Sequence, residues 1–430
     1  MKLTKRLNHL VKSILVAIAL VLHNLSMGQS IDLTTCYEKA EMQSPLKKQE
    51  MYLKSIQELN QDIVTNKNLP DLTLKGSASY QSDVFSLPFE MPGSSIPQIP
   101  KDQHQVSLNL TQNIYSGGII KASQQLKSFE SAVSQAQLEV NLYQIRSIIN
   151  DLYFGIIEIQ NNQLINKDLQ SELQNREQTI RSGIKNGILL PSALKMIQKQ
   201  QLASEQTLQS LKLRRIALLK ILGEWIGEPI SSDMTLSLPD TNTSNQLELN
   251  RPELDLFSTR SNQLEANKNL LQSTSRPKVL AFANLGYGNP NPLNLFETDW
   301  STFYMLGGRL EWKFWDWNST NKQKQVLKLN QEIIQSEQDN FIRNIDNQLL
   351  QQETEVVILR QAIETDEKMV KLQQDITETA SSQLEEGTIS ASDYLTELNN
   401  LTQSKLQLAS DQIKLAKAIV TQTTLSGNTP

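Results

Sequence analysis

The sequence predicts an α+β protein dominated by long helices, built from two copies of a unit that joins two short strands to a long helical hairpin. Three observations predict it. No proline occurs between Pro100 and Pro191, or between Pro292 and Pro430, so each stretch can be helix on both sides of one turn. Four short segments break the helical period and alternate with period two. Landmarks in the two halves also recur at a nearly fixed offset.

The chain of 430 residues opens on a segment that reads as a secretory signal. Lys2, Lys5, Arg6 and Lys12 precede the nine-residue apolar run Ile14–Leu22, and Ser26 and Gly28 suit cleavage before Gln29. Nine residues are too few to span a bilayer, and no later apolar run reaches the length a membrane helix needs. Residues 1–28 hold four positive and no acidic charges, so the formal charge of −5 becomes −9 for the remainder. An acidic chain does not predict a nucleic-acid partner. Cys36 is the sole cysteine, so no internal disulfide is available. Leu33-Thr34-Thr35 before it is a poor acylation signal, and a buried helix cysteine is the expected role. Beyond the signal only His104 remains among the histidines, which leaves no metal or Cys/His nucleophile set. No phosphate loop or nucleophile elbow is present, and neither an enzyme nor a cofactor is expected.

The first two strands are expected at Leu72–Tyr80 and Val106–Asn113, where apolar and polar residues alternate. The loop between them carries Pro88, Pro92, Gly93, Pro97 and Pro100. Ala122, Leu126, Phe129, Val133, Ala136 and Val140 then step by four and three, slip, and resume at Ile145, a period near 3.5 that marks supercoiling helices. Gly187 marks the tip, and Pro191 suits the first position of a returning helix. The second half follows the same plan. Strands are expected at Val279–Tyr287 and Arg309–Trp315, with a turn at Asn289-Pro290-Asn291-Pro292. Leu280 and Phe282 weaken the alternation of the third strand. Gly387 marks the second tip, and Ser390-Ala391-Ser392-Asp393 reads as an N-cap.

The repeat can be measured. Pro45–Pro70 and Pro252–Pro277 each span 25 residues, and Tyr115/Trp315 and Gly187/Gly387 are both 200 apart. Strand end to tip is then 72 residues in both halves, or roughly 100 Å of helix at 1.5 Å per residue. Equal arms suit two hairpins whose tips meet at one level. The expected organisation is a signal over 1–28, a first repeat over 29–222, an inter-repeat segment over 223–250, a second repeat over 251–420 and a tail over 421–430. Strands with one apolar and one polar face fit a membrane barrel, and Trp300, Trp312, Trp315 and Trp317 cluster near the fourth strand as interfacial aromatics do. Four strands cannot close such a barrel and open edges are not tolerated in lipid, so several chains are needed.

In order and spacing the motifs resemble those of the TolC-like outer-membrane efflux proteins. They are the opening helix Leu33–Pro45, Leu69-Pro70-Asp71-Leu72, Gln112-Asn113-Ile114-Tyr115-Ser116-Gly117-Gly118, Arg251-Pro252-Glu253-Leu254 and Trp315-Asp316-Trp317-Asn318. The resemblance implies a homotrimer with a twelve-stranded barrel in the outer membrane of a Gram-negative bacterium, continued by an α-barrel into the periplasm. It implies a passive duct serving a periplasmic adaptor and an inner-membrane pump of RND or ABC type. It also implies an equatorial region formed by the inter-repeat segment and the tail. Gly187-Ile188-Leu189 and Gly387-Thr388-Ile389 stand where the family's tips dock the adaptor. Asp393 matches one of the family's gate acids, Thr396 replaces the second, and Glu397 is a neighbouring substitute. Arg181, Asp393 and Glu397 are accordingly the expected gate residues, with helix capping the alternative role of Asp393. Two other functions remain open. One is the outer-membrane component of type I protein secretion, and the other is a periplasmic coiled-coil adaptor or structural protein.

Overall fold

A computed structural model of the chain describes residues 31–85, 98–239, 248–294 and 297–429. The signal over 1–28 lies outside the described residues, as do Pro88, Pro92, Gly93 and Pro97 of the first loop, 240–247 of the inter-repeat segment, and Pro430. In chain order the elements are α1 (Leu33–Gln43), a 3₁₀ turn (Pro45–Lys47), α2 (Lys48–Asn66), β1 (Asp71–Tyr80), β2 (Asp102–Tyr115), α3 (Ile119–Tyr143), α4 (Ile145–Lys185), α5 (Pro191–Ile226), α6 (Pro252–Thr274), β3 (Lys278–Asn289), β4 (Ser301–Glu311), α7 (Ser319–Glu385) and α8 (Ala391–Ser426). They form two units. One holds the described chain up to Lys47, Asn141–Arg251 and Ile342 onward, and the other holds Lys48–Val140 and Pro252–Phe341. No described helix is long and apolar enough to cross a membrane.

The sheet-bearing unit contains one antiparallel sheet in the order β1-β2-β3-β4. Its register separates the two faces. Leu74, Leu108, Leu285 and Tyr304 form one row across all four strands, and Leu72, Leu110, Ala283 and Leu306 form another on the same face. All of these side chains except the half-buried Ala283 stand exposed, Leu74 at 71% and Tyr304 at 72%. The intervening rows face the other way, such as Thr73, Asn109, Asn284 and Met305. The weak alternation of β3 has a local cause. Phe282 lies opposite Gly307, and Phe303 lies opposite Gly286. A Cβ on Gly286 would stand 2.1 Å from the Phe303 ring, and one on Gly307 would stand 2.6 Å from the Phe282 ring. Each glycine makes room for a ring that covers the neighbouring strand.

The fourth strand corrects the sequence expectation. It spans Ser301–Glu311, not Arg309–Trp315, because Glu311 already pairs with Lys278, the first residue of β3, and no partner continues beyond it. Alternation alone carried the expected strand too far. Strand end to tip is therefore 72 residues in the first half and 76 in the second. The equality lies instead in the helices and in the backbone turns that punctuate them. Gly117 and Gly118 adopt positive φ before α3, and Trp317 and Asn318 do so before α7, each pair offset by 200. Gly227 and Gly427, 200 apart, cap α5 and α8 in the left-handed conformation. Hence α8 continues to Ser426, through residues the sequence reading assigned to the tail, and α5 runs to Ile226. The heptad slip falls at Gln144, where α3 gives way to α4.

In the other unit α1 packs on α4 and α5 through Leu33, Cys36, Tyr37 and Ala40. Cys36 is fully enclosed in the helix, and burial pushes its thiol up to about 12, which keeps it protonated and inert. The inter-repeat segment straps across the first hairpin. Gln160 donates to Leu236 O and accepts from Leu236 N, each at 3.2 Å, and Tyr153 donates to Ser237 O at 2.9 Å. Asn250 N donates to Ser426 O at 2.7 Å, and Asn428 donates to Glu248 O at 2.9 Å, so the inter-repeat segment pairs with the chain's end.

The glycine–phenylalanine complement in the sheet is testable. Gly286→Ala is expected to lower stability by about 1–3 kcal/mol through overpacking, and Phe303→Leu in the same chain to recover part of the loss. Urea unfolding in detergent, followed by tryptophan fluorescence, measures both.

Candidate functional site

The two hairpin tips are built alike. At the first, Gly187 N donates to Ile184 O at 3.1 Å and Ile188 N to Gly183 O at 2.9 Å. At the second, Gly387 N donates to Leu384 O at 3.1 Å and Thr388 N to Gln383 O at 2.9 Å. This bond pair closes a helix on a residue of positive φ, here 76° at Gly187 and 73° at Gly387. The returning helices start differently. Pro191 opens α5, whereas Ser390 and Asp393 form a capping box on α8.

The tips are not equally open. A Cβ on Gly187 would meet nothing within 4 Å, but one on Gly387 would touch Ile188 at 3.0 Å, so the first tip leans on the second. Leu189 and Ile389 are partly buried, against a cluster that includes Leu173, Ile180, Ile197, Leu384 and Tyr394. Both belong to the triplets that the resemblance assigns to adaptor docking. The exposed apolar side chains at the tips are Ile188 at 51% and Leu190 at 74%, with Thr388 beside them. Leu190 was not singled out in the sequence, although a leucine between a turn glycine and a helix-opening proline has little room to bury itself.

The expected gate residues do not meet. Arg181 pairs with Glu177 one turn back at 2.6 Å. Glu397 accepts from Gln373 at 2.7 Å. Asp393 accepts from the Ser390 hydroxyl at 2.7 Å and the Ser390 backbone at 3.1 Å, which holds its carboxyl below the usual range. Asp393 and Glu397 nevertheless share a groove with Asp375, Ile376 and Ile389, and the residues lining it carry three carboxylates and no base.

Among the polar contacts that fasten the first hairpin to the second, the one nearest the tips has no signal in the sequence. Arg176 on α4 reaches Glu172 at 2.9 Å and Glu385 on α7 at 2.7 Å, and its guanidinium lies 5.1 Å from the centre of the Tyr394 ring. Tyr394 on α8 is fully buried and donates to Glu172 at 2.8 Å. Burial pushes the Glu172 carboxyl up, but the hydrogen bonds from Arg176 and Tyr394 outweigh it and hold the carboxyl below its ordinary value. No signal in sequence links residues more than 200 positions apart.

At the sheet the tryptophans divide between two ends. Trp300, just before β4, stacks on Tyr287 at 5.1 Å and on His104 at 6.0 Å. Beyond the other end of β4, Trp312 meets Phe314 and Trp315 meets Trp317, and Trp312 Nε1 donates to Ser275 O at 3.1 Å. Aromatic groups thus bracket a strand of 11 residues. Among the described residues no group of three or more His, Cys, Asp or Glu is placed to hold a metal ion.

Solved structures resemble this arrangement along nearly its whole length. The outer membrane protein VceC from Vibrio cholerae aligns with a TM-score of 0.65 at 15% identity, covering 93% of this chain and 97% of its own. The fold is that of the TolC-like outer-membrane channels. The outer-membrane channel OprN matches with a TM-score of 0.68 at 13% identity, covering 92% of this chain and 90% of that one. The CmeC outer membrane channel of Campylobacter jejuni matches with a TM-score of 0.64 at 16% identity, covering 92% and 85%. No family model and no curated protein sequence matches the chain.

Tyr394→Phe is expected to cost about 1–3 kcal/mol, because a buried hydroxyl's bond to a carboxylate is lost. Glu172 titrates low in the folded chain, so this contribution is present at neutral pH and fades as pH falls through that lowered range. The stability gap between the variant and the wild type, read by urea unfolding, should therefore narrow in acid.

Proposed function

We propose that the chain is one copy of an outer-membrane efflux duct, assembled as a homotrimer. One observation supports it above the others. The four-stranded sheet has β1 and β4 as edges and exposes its apolar rows, a combination that suits neither water nor a lone chain in lipid. Edge pairing between copies satisfies both backbone edges and turns the apolar face to lipid. The bracketing tryptophans suit the two interfaces of the bilayer.

The rest of the reading follows from that placement. The chain resides in the outer membrane of a Gram-negative bacterium, and its helical hairpins line the periplasmic part of the duct. Transport through it is passive and driven by an inner-membrane pump of RND or ABC type. Ile188 and Leu190, with Thr388, form the apolar surface at the tips for a periplasmic adaptor. The acidic groove of Asp375, Asp393 and Glu397 sits beside the second tip. Around a symmetric mouth, such carboxylates favour cations. Arg176, held by Glu172, Glu385 and Tyr394, keeps the two hairpins of a copy together.

Two measurements test this. Images of the detergent-solubilised protein should show a threefold particle with a barrel, and a monomeric globular particle would sink the reading. Asp393→Asn keeps a capping side chain but removes the charge. In planar bilayers it should lower the preference for cations over anions without abolishing conduction, and an unchanged preference would remove Asp393 from the mouth.

A further inference from the structure

Asp411 on α8 is the one charged residue among the described residues that is counted as buried, with its side chain 9% exposed. Its carboxylate is well supplied. Gln407 donates to one oxygen and Lys414 to the other, each at 2.9 Å. Asp366 on α7 lies within hydrogen-bonding reach of it. Its Oδ2 atom is buried and meets no donor. Two carboxylates that face each other in a desolvated place do not both keep their charge at low cost, and a single shared proton turns repulsion into a bond.

The repeat supplies an internal control. At an offset of 200, Asp366 corresponds to Asn166 and Asp411 to Leu211. Asn166 is buried on α4 and donates to Asn162 O within its own helix at 2.9 Å. The first hairpin thus places an amide and a leucine where the second places two acids, so only the second can respond to protons here.

We propose that Asp366 and Asp411 form a proton-dependent clamp between the two arms of the second hairpin. When Asp366 holds the proton, its hydroxyl donates to the Asp411 carboxylate and ties α7 to α8. When both are ionised, the arms repel at this point and Asp411 retains only its partners on α8. The charged groups acting on Asp366 are Asp411 and Lys414, both on α8. Burial and then Asp411 push the Asp366 carboxyl up, whereas the donors around Asp411 hold that carboxyl down despite its burial. The pair titrates as a unit. With Asp366 raised, the clamp is present in mild acid and is lost as pH rises through that raised value. In a duct wall, mild acid therefore stiffens the second hairpin. That consequence rests on the proposed function, whereas the clamp itself does not.

Hydrogen exchange on the purified full-length protein in detergent tests it, comparing mild acid with pH 8 after correction for intrinsic rates. Segments around Asp366 and Asp411 should open about fivefold more readily at pH 8, a factor equivalent to ~1 kcal/mol. In Asp366→Asn, whose amide donates permanently, the rise should vanish. Asp411→Asn, which removes the opposing charge, should abolish it too and serves if the first variant folds poorly. Segments around Asn166 and Leu211 should not respond. A rise that persists in the variants, or an equal rise in the first hairpin, overturns the clamp. Because exchange is read without conduction, a chain that forms no pore would defeat the proposed function and leave this test intact.

Discussion

A helix of α-carbons can reverse only where the backbone leaves the right-handed region, and here that constraint sets the architecture. Left-handed residues stand at 117, 118, 187 and 227, and again at 317, 318, 387 and 427. From 118 to 227 the helices break only at the tip and at the slip at Gln144, and from 318 to 427 only at the tip. Arm length follows from this spacing, because each residue adds a fixed rise. The strands tolerate unequal ends and the loops tolerate unequal lengths, but the turns keep register. In the first half the strand-to-helix turn uses Gly117 and Gly118. In the second, Trp317 and Asn318 adopt the same conformation at a steric cost.

The long helices bury little. Their apolar seams are narrow, and large side chains such as Leu202, Leu213, Leu350 and Leu372 remain exposed. In such a fold, polar contacts decide which helix faces which. Arg176 with Glu172, Glu385 and Tyr394 selects the pairing of first and second hairpins near the tips. Further along the second hairpin, Gln373 and Thr377 reach Glu397, and Asp366 reaches Asp411. The tip cluster supplies the apolar part and the charged groups supply direction. The sheet follows the opposite logic. Its strands pair along their length apart from an irregularity between Asn113 and Tyr115, its apolar face is exposed, and its two edge strands are open. Each unit of the chain is thus left incomplete in a different way.

Much of this was legible in the chain itself. Missing prolines, the tip glycines, the Ser390–Asp393 cap and the slip after Val140 are local signals, and each marks a helix boundary through the backbone of that same residue. Two copies of the plan could be measured because glycine and proline positions survive as landmarks. By contrast, the end of β4 was not legible, since it depends on where β3 begins. The exchange of Phe282 and Phe303 for glycines across the strand was hidden for the same reason. Leu189 and Ile389 resembled exposed tip residues in sequence, yet only the neighbouring hairpin decides whether they are covered. The resemblance groups Arg181, Asp393 and Glu397 as gate residues, yet within one copy Arg181 pairs with Glu177, Asp393 with Ser390 and Glu397 with Gln373.

By itself, the sequence determined the two-fold plan, the helical arms, the tips and the presence of four strands, because periodicity and backbone restriction act within a few residues. Tertiary structure alone decided the register of the fourth strand, the closing partner of Arg176, the covering of Gly387 by Ile188 and the meeting of Asp366 with Asp411. Those contacts join positions tens to hundreds of residues apart, and no local pattern encodes which distant side chain arrives.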